Sequence, residues 1–391
     1  MSSVSNRPNQ LRSLTGYRFL LASAVVFGHV IFMSGIFTFD HPVMEANRLS
    51  IMLAAGAVSS FFILSGFVLT WSRRDSDTTR GFYRRRIVKI FPNHVVTLGL
   101  MLILLWVTTA PSPLPVQEPT LGEGVANLLL VHTWYPDLGY VSGGTSVTWS
   151  LASEMFFYLL FPLIIGPLCA IRARNLWAVT LGVAALVVSV PALATFVTSN
   201  EADPMLFGMS MSVEYWWLIY FFPPVRLLEF VLGILLARVV LTGQWPTSQL
   251  LWPVLGLVAV LAAEPVMPDG YLWGAATCLP AAAMICTLAM RDLDGQGTPL
   301  ARPPMVRFGE ASYALYVVHM PVIYAIRHLA GPEEIVGSFE AVLLAVAMFV
   351  ASVLAALVLW RTVEVPMMRR FARPRTPEHP EPVATLPVPP R

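Results

Sequence analysis

Ten apolar runs follow one another along this chain, most of them close to the roughly 20 residues a helix needs to cross the hydrocarbon core of a bilayer. They lie near 17–37, 51–72, 92–110, 147–168, 176–198, 224–242, 250–266, 271–290, 309–329 and 338–362, and the seventh is among the shortest. Inside hydrocarbon a backbone must satisfy its own hydrogen bonds, and in runs of this length a helix does so. The expected fold is all-α: a polytopic integral-membrane bundle of about ten transmembrane helices. Composition agrees. Hydrophobic residues make up 56% and charged residues 12% of the chain, about half the charge of a soluble domain. The first run is longer than a signal-peptide core and no small-residue cleavage site follows it, so it is expected to be a span.

The basic residues orient the bundle, because Lys and Arg concentrate in cytoplasmic loops. Arg73, Arg74, Arg80, Arg84, Arg85, Arg86 and Lys89 fall in 72–91, and Arg172 and Arg174 in 169–175. Arg291, Arg302 and Arg307 fall in 291–308, and Arg369, Arg370, Arg373, Arg375 and Arg391 in the tail. Segments 111–146, 199–223 and 263–270 have neither Lys nor Arg, and 38–50 has only Arg48. Ten crossings put every basic segment on one side, with both termini cytoplasmic. The expected organisation is an N-terminal cytoplasmic segment 1–16, a membrane domain 17–365 and a Pro/Arg-rich cytoplasmic tail 366–391, disordered from Arg373. The expected location is the cell membrane. Segment 111–146 is rich in Pro and Gly and holds a short apolar piece, Val125–Val131, read as an outer lid or a re-entrant segment. The net charge of +2 is too small to imply a nucleic-acid partner. Cys169, Cys278 and Cys286 sit in apolar stretches in no metal-ligand spacing and read as small buried hydrophobes.

A titratable side chain within a span costs roughly 2.5–3.5 kcal/mol on insertion scales and so marks function. Arg18 and His29 stand eleven residues apart in the first run, which is about three turns plus 20° on a helix and about 16 Å along its axis. They share a face, with Arg18 at the cytoplasmic rim and His29 deeper. The arginine suits bidentate binding of phosphate. A flexible arm could carry a reactive end from there to the histidine, and coenzyme A has that shape. The alternative is a snorkelling Arg18 and a structural His29.

Ser150, Glu154 and Tyr158, spaced by four in the fourth run after Trp149, share another face. Glu154 needs a partner there, and an imidazole would be a good one. Arg84, Arg85 and Arg86 lie at the mouth of the proposed donor site, although topology alone explains a basic loop. His94, at the mouth of the third run, could touch the donor. Arg226 and Glu229 are three apart and can pair locally. Ser312, Tyr316 and His319 share a face beside Tyr313. Glu364 and Pro366 end the tenth run and anchor it. His41, His132, His328 and His379 fall in loops or at run ends.

These segments, in this order, resemble the membrane acyltransferase-3 family. The elements that carry the resemblance are Arg18 and His29, the run Ser60–Phe67, Arg84–Arg86 with Pro92, Trp149-Ser150-Leu151 with Glu154 and Phe157-Tyr158, Arg226 with Glu229-Phe230, and Ser312-Tyr313 with His319. The ordered set spans nearly the whole chain. Two positions depart from the family pattern: Val58-Ser59-Ser60, where an acid usually precedes the paired Phe, and Met155, where a second acid often follows Glu154. The arginine-dominated, compact chain, with Lys89 its only lysine, is similar to actinobacterial members that acylate macrolides or their sugars.

The resemblance implies transfer of an acyl group, often acetyl, from acyl-CoA to a hydroxyl, with Arg18 and His29 functional. No tightly bound cofactor is expected; acyl-CoA is a co-substrate. The expected acceptor is a macrolide or other glycosylated natural product, the alternative a cell-surface polysaccharide or lipid-linked sugar. In the expected mechanism His29 is the general base and Glu154 orients it, while Arg18, Arg84, Arg85, Arg86 and His94 hold the donor. Trp149, Ser150, Tyr158, Arg226, Tyr313 and His319 serve the acceptor or the oxyanion. Buried Arg, His and Glu also line transport paths, but the chain has neither an inverted repeat nor paired broken helices.

Overall fold

The computed structural model describes residues 10–34, 36, 47–74, 77–108, 118–199, 201, 211–331 and 338–372. The expected disorder from Arg373 onward, and His41 and His379, lie outside these residues. Among the described residues every regular element is helical. Ten principal helices stand at the positions of the ten apolar runs: α1 Arg12–Met33, α2 Asn47–Ser72, α3 Thr79–Val107, α4 Trp149–Ala170, α5 Ala173–Ala194, α6 Pro223–Leu241, α7 Leu251–Ala262, α8 Cys278–Leu293, α9 Ser312–Leu329 and α10 Ser338–Leu359. Seven helical stretches, those of α1 to α5, α8 and α10, are long and apolar enough to cross a membrane, so the chain is a multi-pass membrane protein. The α7 helix has 12 residues, about 18 Å of rise, short of a hydrocarbon core about 30 Å thick.

The third helix corrects a boundary. The basic stretch expected as a loop up to residue 91 is helical from Thr79. Thr78 caps it, its Oγ1 accepting from the Gly81 N–H at 3.1 Å, and Arg and Lys are good helix formers. At 29 residues, or about 44 Å of rise, α3 extends beyond the apolar thickness and carries its arginines on its first turns.

Packing centres on α2, 72% of whose apolar window is buried. It crosses α6 at two reciprocal glycines. A Cβ on Gly66 would run into the Phe230 carbonyl, and one on Gly233 into the Ile63 carbonyl. Only the absence of both side chains lets the two backbones approach this closely, the small-residue packing typical of membrane helices. Outward, α10 presents Val342, Leu343, Val346, Val350, Leu354 and Val358, an apolar face that suits lipid.

Two polar clamps tie the ends together. Arg48, the exception in the charge pattern, is held by its neighbours: Nε donates to Glu264 Oε1 at 2.7 Å and Nη2 to the Met267 carbonyl at 2.8 Å, and Nη1 pairs with Asp269. At the opposite end a π-helical turn, Trp360–Glu364, brings Glu364 inward to pair with Lys89 and to accept from Asn93 Nδ2 at 2.8 Å. The helix that follows, Val365–Phe371, occupies the start of the expected tail. Segment 118–148 folds over the other end. Its helix Leu121–Leu128 opens with a capping box of Thr120 and Glu123. Asn127 then fixes the segment, accepting from His94 Nε2 at 3.1 Å and donating to Thr148 Oγ1 at 2.9 Å.

Candidate functional site

Helices α1, α2, α4 and α9 line two cavities stacked along the bundle, and α3 adds to the first of them. The first, about 140 Å³, lies towards the arginine-rich end. Arg18, Arg86 and Lys89 line it together with Glu154, Tyr158 and Tyr313. The second, about 240 Å³, lies towards the other end and holds His29. Its wall is aromatic, from Trp149, Trp216, Tyr220 and Trp273, and segment 138–146 closes one side. Among the described residues lining it there is no Asp, Glu, Lys or Arg. Val58 and Tyr316 line both cavities, so these two side chains stand at the partition. The α1 periodicity is realised across it, with Arg18 in the charged chamber and His29 in the uncharged one.

His29 is partnered by a second histidine. Its Nδ1 lies 2.9 Å from the Val25 carbonyl and 3.2 Å from His319 Nε2. His319, fully buried, has its own Nδ1 3.2 Å from the Leu315 carbonyl. A carbonyl only accepts, so each Nδ1 carries the proton, and His319 Nε2 is left as an acceptor. The His29 Nδ1–H is then shared between Val25 and His319. This assignment, made from the network, leaves His29 Nε2 with its lone pair unprotonated, the form a general base requires.

The expected pairing of Glu154 with His29 is corrected. Glu154 Oε1 instead accepts from Tyr158 Oη and, at 3.3 Å, from Ser65 Oγ. The reason is height. Trp149 is level with the second chamber, and five residues on, about 7.5 Å further along α4, Glu154 faces the first.

Four other expected positions differ. His94 does not reach the donor chamber. With α3 starting at Thr79 it lies about 22 Å into the helix, fully buried and donating to Asn127. Of the three consecutive arginines only Arg86 lines the first chamber, its guanidinium 5.5 Å from the Tyr158 ring centre. Arg84 donates to the Ala372 carbonyl at 3.3 Å and Arg85 pairs with Asp77 at 2.8 Å, because successive helical residues point about 100° apart. Arg226 lines neither chamber. It pairs with Glu229 at 2.9 Å and donates to Ser59 Oγ at 2.8 Å, both ends buried, beneath the rings of Phe62 and Tyr220. Removing one partner of such a pair costs about 3–5 kcal/mol, so here it braces the aromatic wall.

The hydroxyls at the partition are largely committed. Tyr313 Oη donates to the Ile90 carbonyl at 2.8 Å, which removes it as an oxyanion donor, while its ring walls the first chamber 5.4 Å from Lys89 Nζ. Tyr316 Oη accepts from Ser150 Oγ at 2.6 Å and donates to the Val147 carbonyl at 3.1 Å. Trp149 packs its ring 4.4 Å from that of Tyr220. Of the buried hydroxyls that make no hydrogen bond among the described residues, Ser312 Oγ lines the first chamber and Ser146 Oγ the second. The sequence reading missed Ser146, Trp216, Tyr220 and Trp273. The one signal was the run Tyr215–Phe222, with six aromatics in eight residues.

Comparison with known proteins bears on this arrangement. The family profile described as the acyltransferase domain of the acyltransferase-3 type matches residues 11–361. The chain is 37% identical over 390 residues to Acyltransferase MdmB of Streptomyces mycarofaciens, covering 97% of this chain and 96% of that one. It is 24% identical to Nodulation protein 10 of Rhizobium leguminosarum bv. viciae, over 71% of this chain and 74% of that protein. It is 23% identical to O-acetyltransferase OatA of Staphylococcus aureus, over 68% of this chain and 45% of OatA. No solved structure matches.

Proposed function

The chain belongs to the acyltransferase-3 family, and we propose that it is an O-acyltransferase taking its acyl group, acetyl or another short chain, from acyl-CoA. The acceptor is a hydroxyl of a macrolide or a similar neutral natural product. The observation that carries this reading is the pair of chambers meeting at Val58 and Tyr316, one cationic and one uncharged with His29 inside it. Arg18, Arg86 and Lys89 suit the phosphates of the donor, whose pantetheine arm runs between the helices to bring the thioester to the partition. The apolar, aromatic second chamber suits an acceptor without charge, which favours a macrolide over a pyrophosphate-linked sugar. Both termini lie in the cytoplasm on this reading, and the protein resides in the cell membrane.

The chemistry is direct transfer. His29 Nε2 removes the acceptor's hydroxyl proton as that oxygen attacks the thioester carbonyl. A positioned base of this kind contributes typically ~10²–10⁴-fold. His319 acts through His29: it accepts from the Nδ1–H, holds the ring and stabilises the imidazolium as it forms. Glu154 is a positioning residue for Tyr158 and Ser65 in the donor chamber. The tetrahedral intermediate then collapses, the carbon–sulfur bond breaks, and the leaving thiolate takes the proton from His29. Ser312 and Ser146, with unpaired hydroxyls, are the donors available to the oxyanion.

The test is thiol release by the purified chain, with acetyl-CoA and longer acyl-CoAs set against a macrolide panel and a glycan panel. Acceptor-dependent release with a macrolide supports the reading. Release with glycans alone overturns the acceptor. Transport of solutes into vesicles without any thioester consumption overturns the enzyme. Accumulation of an acyl-protein without acceptor overturns direct transfer.

A further inference from the structure

The two chambers meet at a neck. Among the described residues, Val58 of α2 and Tyr316 of α9 alone line both chambers, and both side chains are buried. On the reading proposed above, the phosphates of the donor stay with Arg18, Arg86 and Lys89 in the first chamber, whereas His29 lines only the second. The attacking hydroxyl lies beside His29, so the thioester carbonyl has to come to it. The acyl group is the leading end of the donor arm, and it arrives by passing between Val58 and Tyr316.

Both sides of the neck are stiff. Tyr316 Oη accepts from Ser150 Oγ at 2.6 Å and donates to the Val147 carbonyl at 3.1 Å, which pins the far end of the ring. Phe61 packs edge-on against that ring, with centroids 6.3 Å apart. Val58 is β-branched, and such a side chain keeps to one χ1 rotamer in about 90% of cases within a helix. Its backbone is held on either side. Gly56 lies against Thr277, whose Oγ1 a Cβ would meet at 2.5 Å, and Ser59 Oγ accepts from Arg226 Nη2 at 2.8 Å. One turn further into the second chamber, α2 presents Ala54 and Ala55, and Gly28 of α1 lies against Ala54. The crowding is therefore at Val58 itself and not beyond it. We infer that Val58, set against the fixed ring of Tyr316, selects the acyl group by its girth: an unbranched acyl group passes to His29, and one branched beside its carbonyl is held back. The inference rests on the first chamber being the donor's and on His29 being the base. In an apolar site one methylene more or less is worth roughly 10–200-fold in discrimination.

The experiment compares acetyl-CoA, butyryl-CoA and isobutyryl-CoA as donors to one acceptor, with the wild-type chain and the Val58→Ala and Val58→Ile variants. Butyryl and isobutyryl have the same number of carbons and differ in girth. The measured quantity is the ratio of kcat/KM for isobutyryl-CoA to that for butyryl-CoA. Taken within one variant, it cancels any loss of folded protein or of general activity. The wild-type ratio is expected to lie below one, to rise about tenfold or more in Val58→Ala and to fall in Val58→Ile, which keeps the bulk of the side chain and so reports even if the smaller one weakens packing. A ratio that is the same in all three chains, or that moves in the same direction in both variants, overturns the inference. So does a wild type that prefers isobutyryl, or one that transfers acetyl and neither four-carbon group, which would make length the criterion. An unmoved ratio with an altered KM for acceptor would assign Val58 to the acceptor instead. A wild type that consumes no acyl thioester at all overturns the donor reading itself, a failure distinct from loss of the selection at Val58.

Discussion

The two chambers differ in what the bilayer charges for building them. The first sits at the end where α1 and α3 begin, and long Arg and Lys stems reach it from near the aqueous side. Cations are inexpensive there. The second is lined, among the described residues, by apolar and aromatic side chains, three serines and His29, with no permanently charged group. A permanent charge would be costly at that depth, and a neutral imidazole held as an acceptor at Nε2 avoids the cost. On the proposed reading, the division teaches how one helix can serve both ends of a reaction, with a fixed charge for the donor and a neutral base for the acceptor.

The sharpest break of that comparison is His29→Ala. Transfer is expected to fall by ~10²–10⁴-fold while CoA binding, measured by equilibrium titration, stays within a factor of about two. Full retention of transfer would remove His29 from the chemistry. Arg18→Ala is expected to do the converse. Loss of a hydrogen bond to a charged group costs about 1.5–3 kcal/mol, so KM for acyl-CoA should rise roughly 10–100-fold with the KM for acceptor unchanged. A variant that raised both alike would mean that the two chambers are not separate sites.

The fold and half of this arrangement were legible in the chain itself. Arg18 and His29 stood out because a charge in an apolar run has contrast, and the helical repeat is enough to align two residues of one helix. Glu154 stood out equally, but its partner was misread. Which residues meet across helices depends on how far each helix is displaced along the bundle, and periodicity within a helix carries no information on that. His94 failed for a related reason, since the true start of α3, at Thr79, is set by the Thr78 cap in a stretch that reads as a basic loop. The aromatic wall of Trp216, Tyr220 and Trp273 was hidden because aromatic residues in an apolar run have no contrast at all.

A smaller effect tests the histidine pair. His319→Gln should lower kcat about 2–10-fold, the worth of one net hydrogen bond, because His29 keeps its bond to Val25. The pH profile of kcat distinguishes a positioning role from a packing role. The acidic limb should shift in His319→Gln and stay in place in a nearby packing variant such as Val318→Ala. Equal profiles would reduce His319 to packing.

The smallest effect concerns the segment over the second chamber. His132, on that segment, is pushed down to about 3 by burial and by the neighbouring His94. The sign follows from linkage. Between the ordinary histidine value of about 6.5 and about 3, the unseated segment binds a proton that the seated one does not. Seating is therefore at full strength above about pH 6.5 and weakens as pH falls. Glu123 and Asp137 on the same segment are occupied in helix-capping hydrogen bonds. Hydrogen exchange over residues 118–148, corrected for intrinsic rates, should be faster at pH 5 than at pH 7, and His132→Gln should flatten that difference. Because residues 138–146 wall only the uncharged chamber, acidification should raise the KM for acceptor ahead of the KM for donor. A donor KM that rose first would place the sensitive element at the cationic end and undo the division between the chambers.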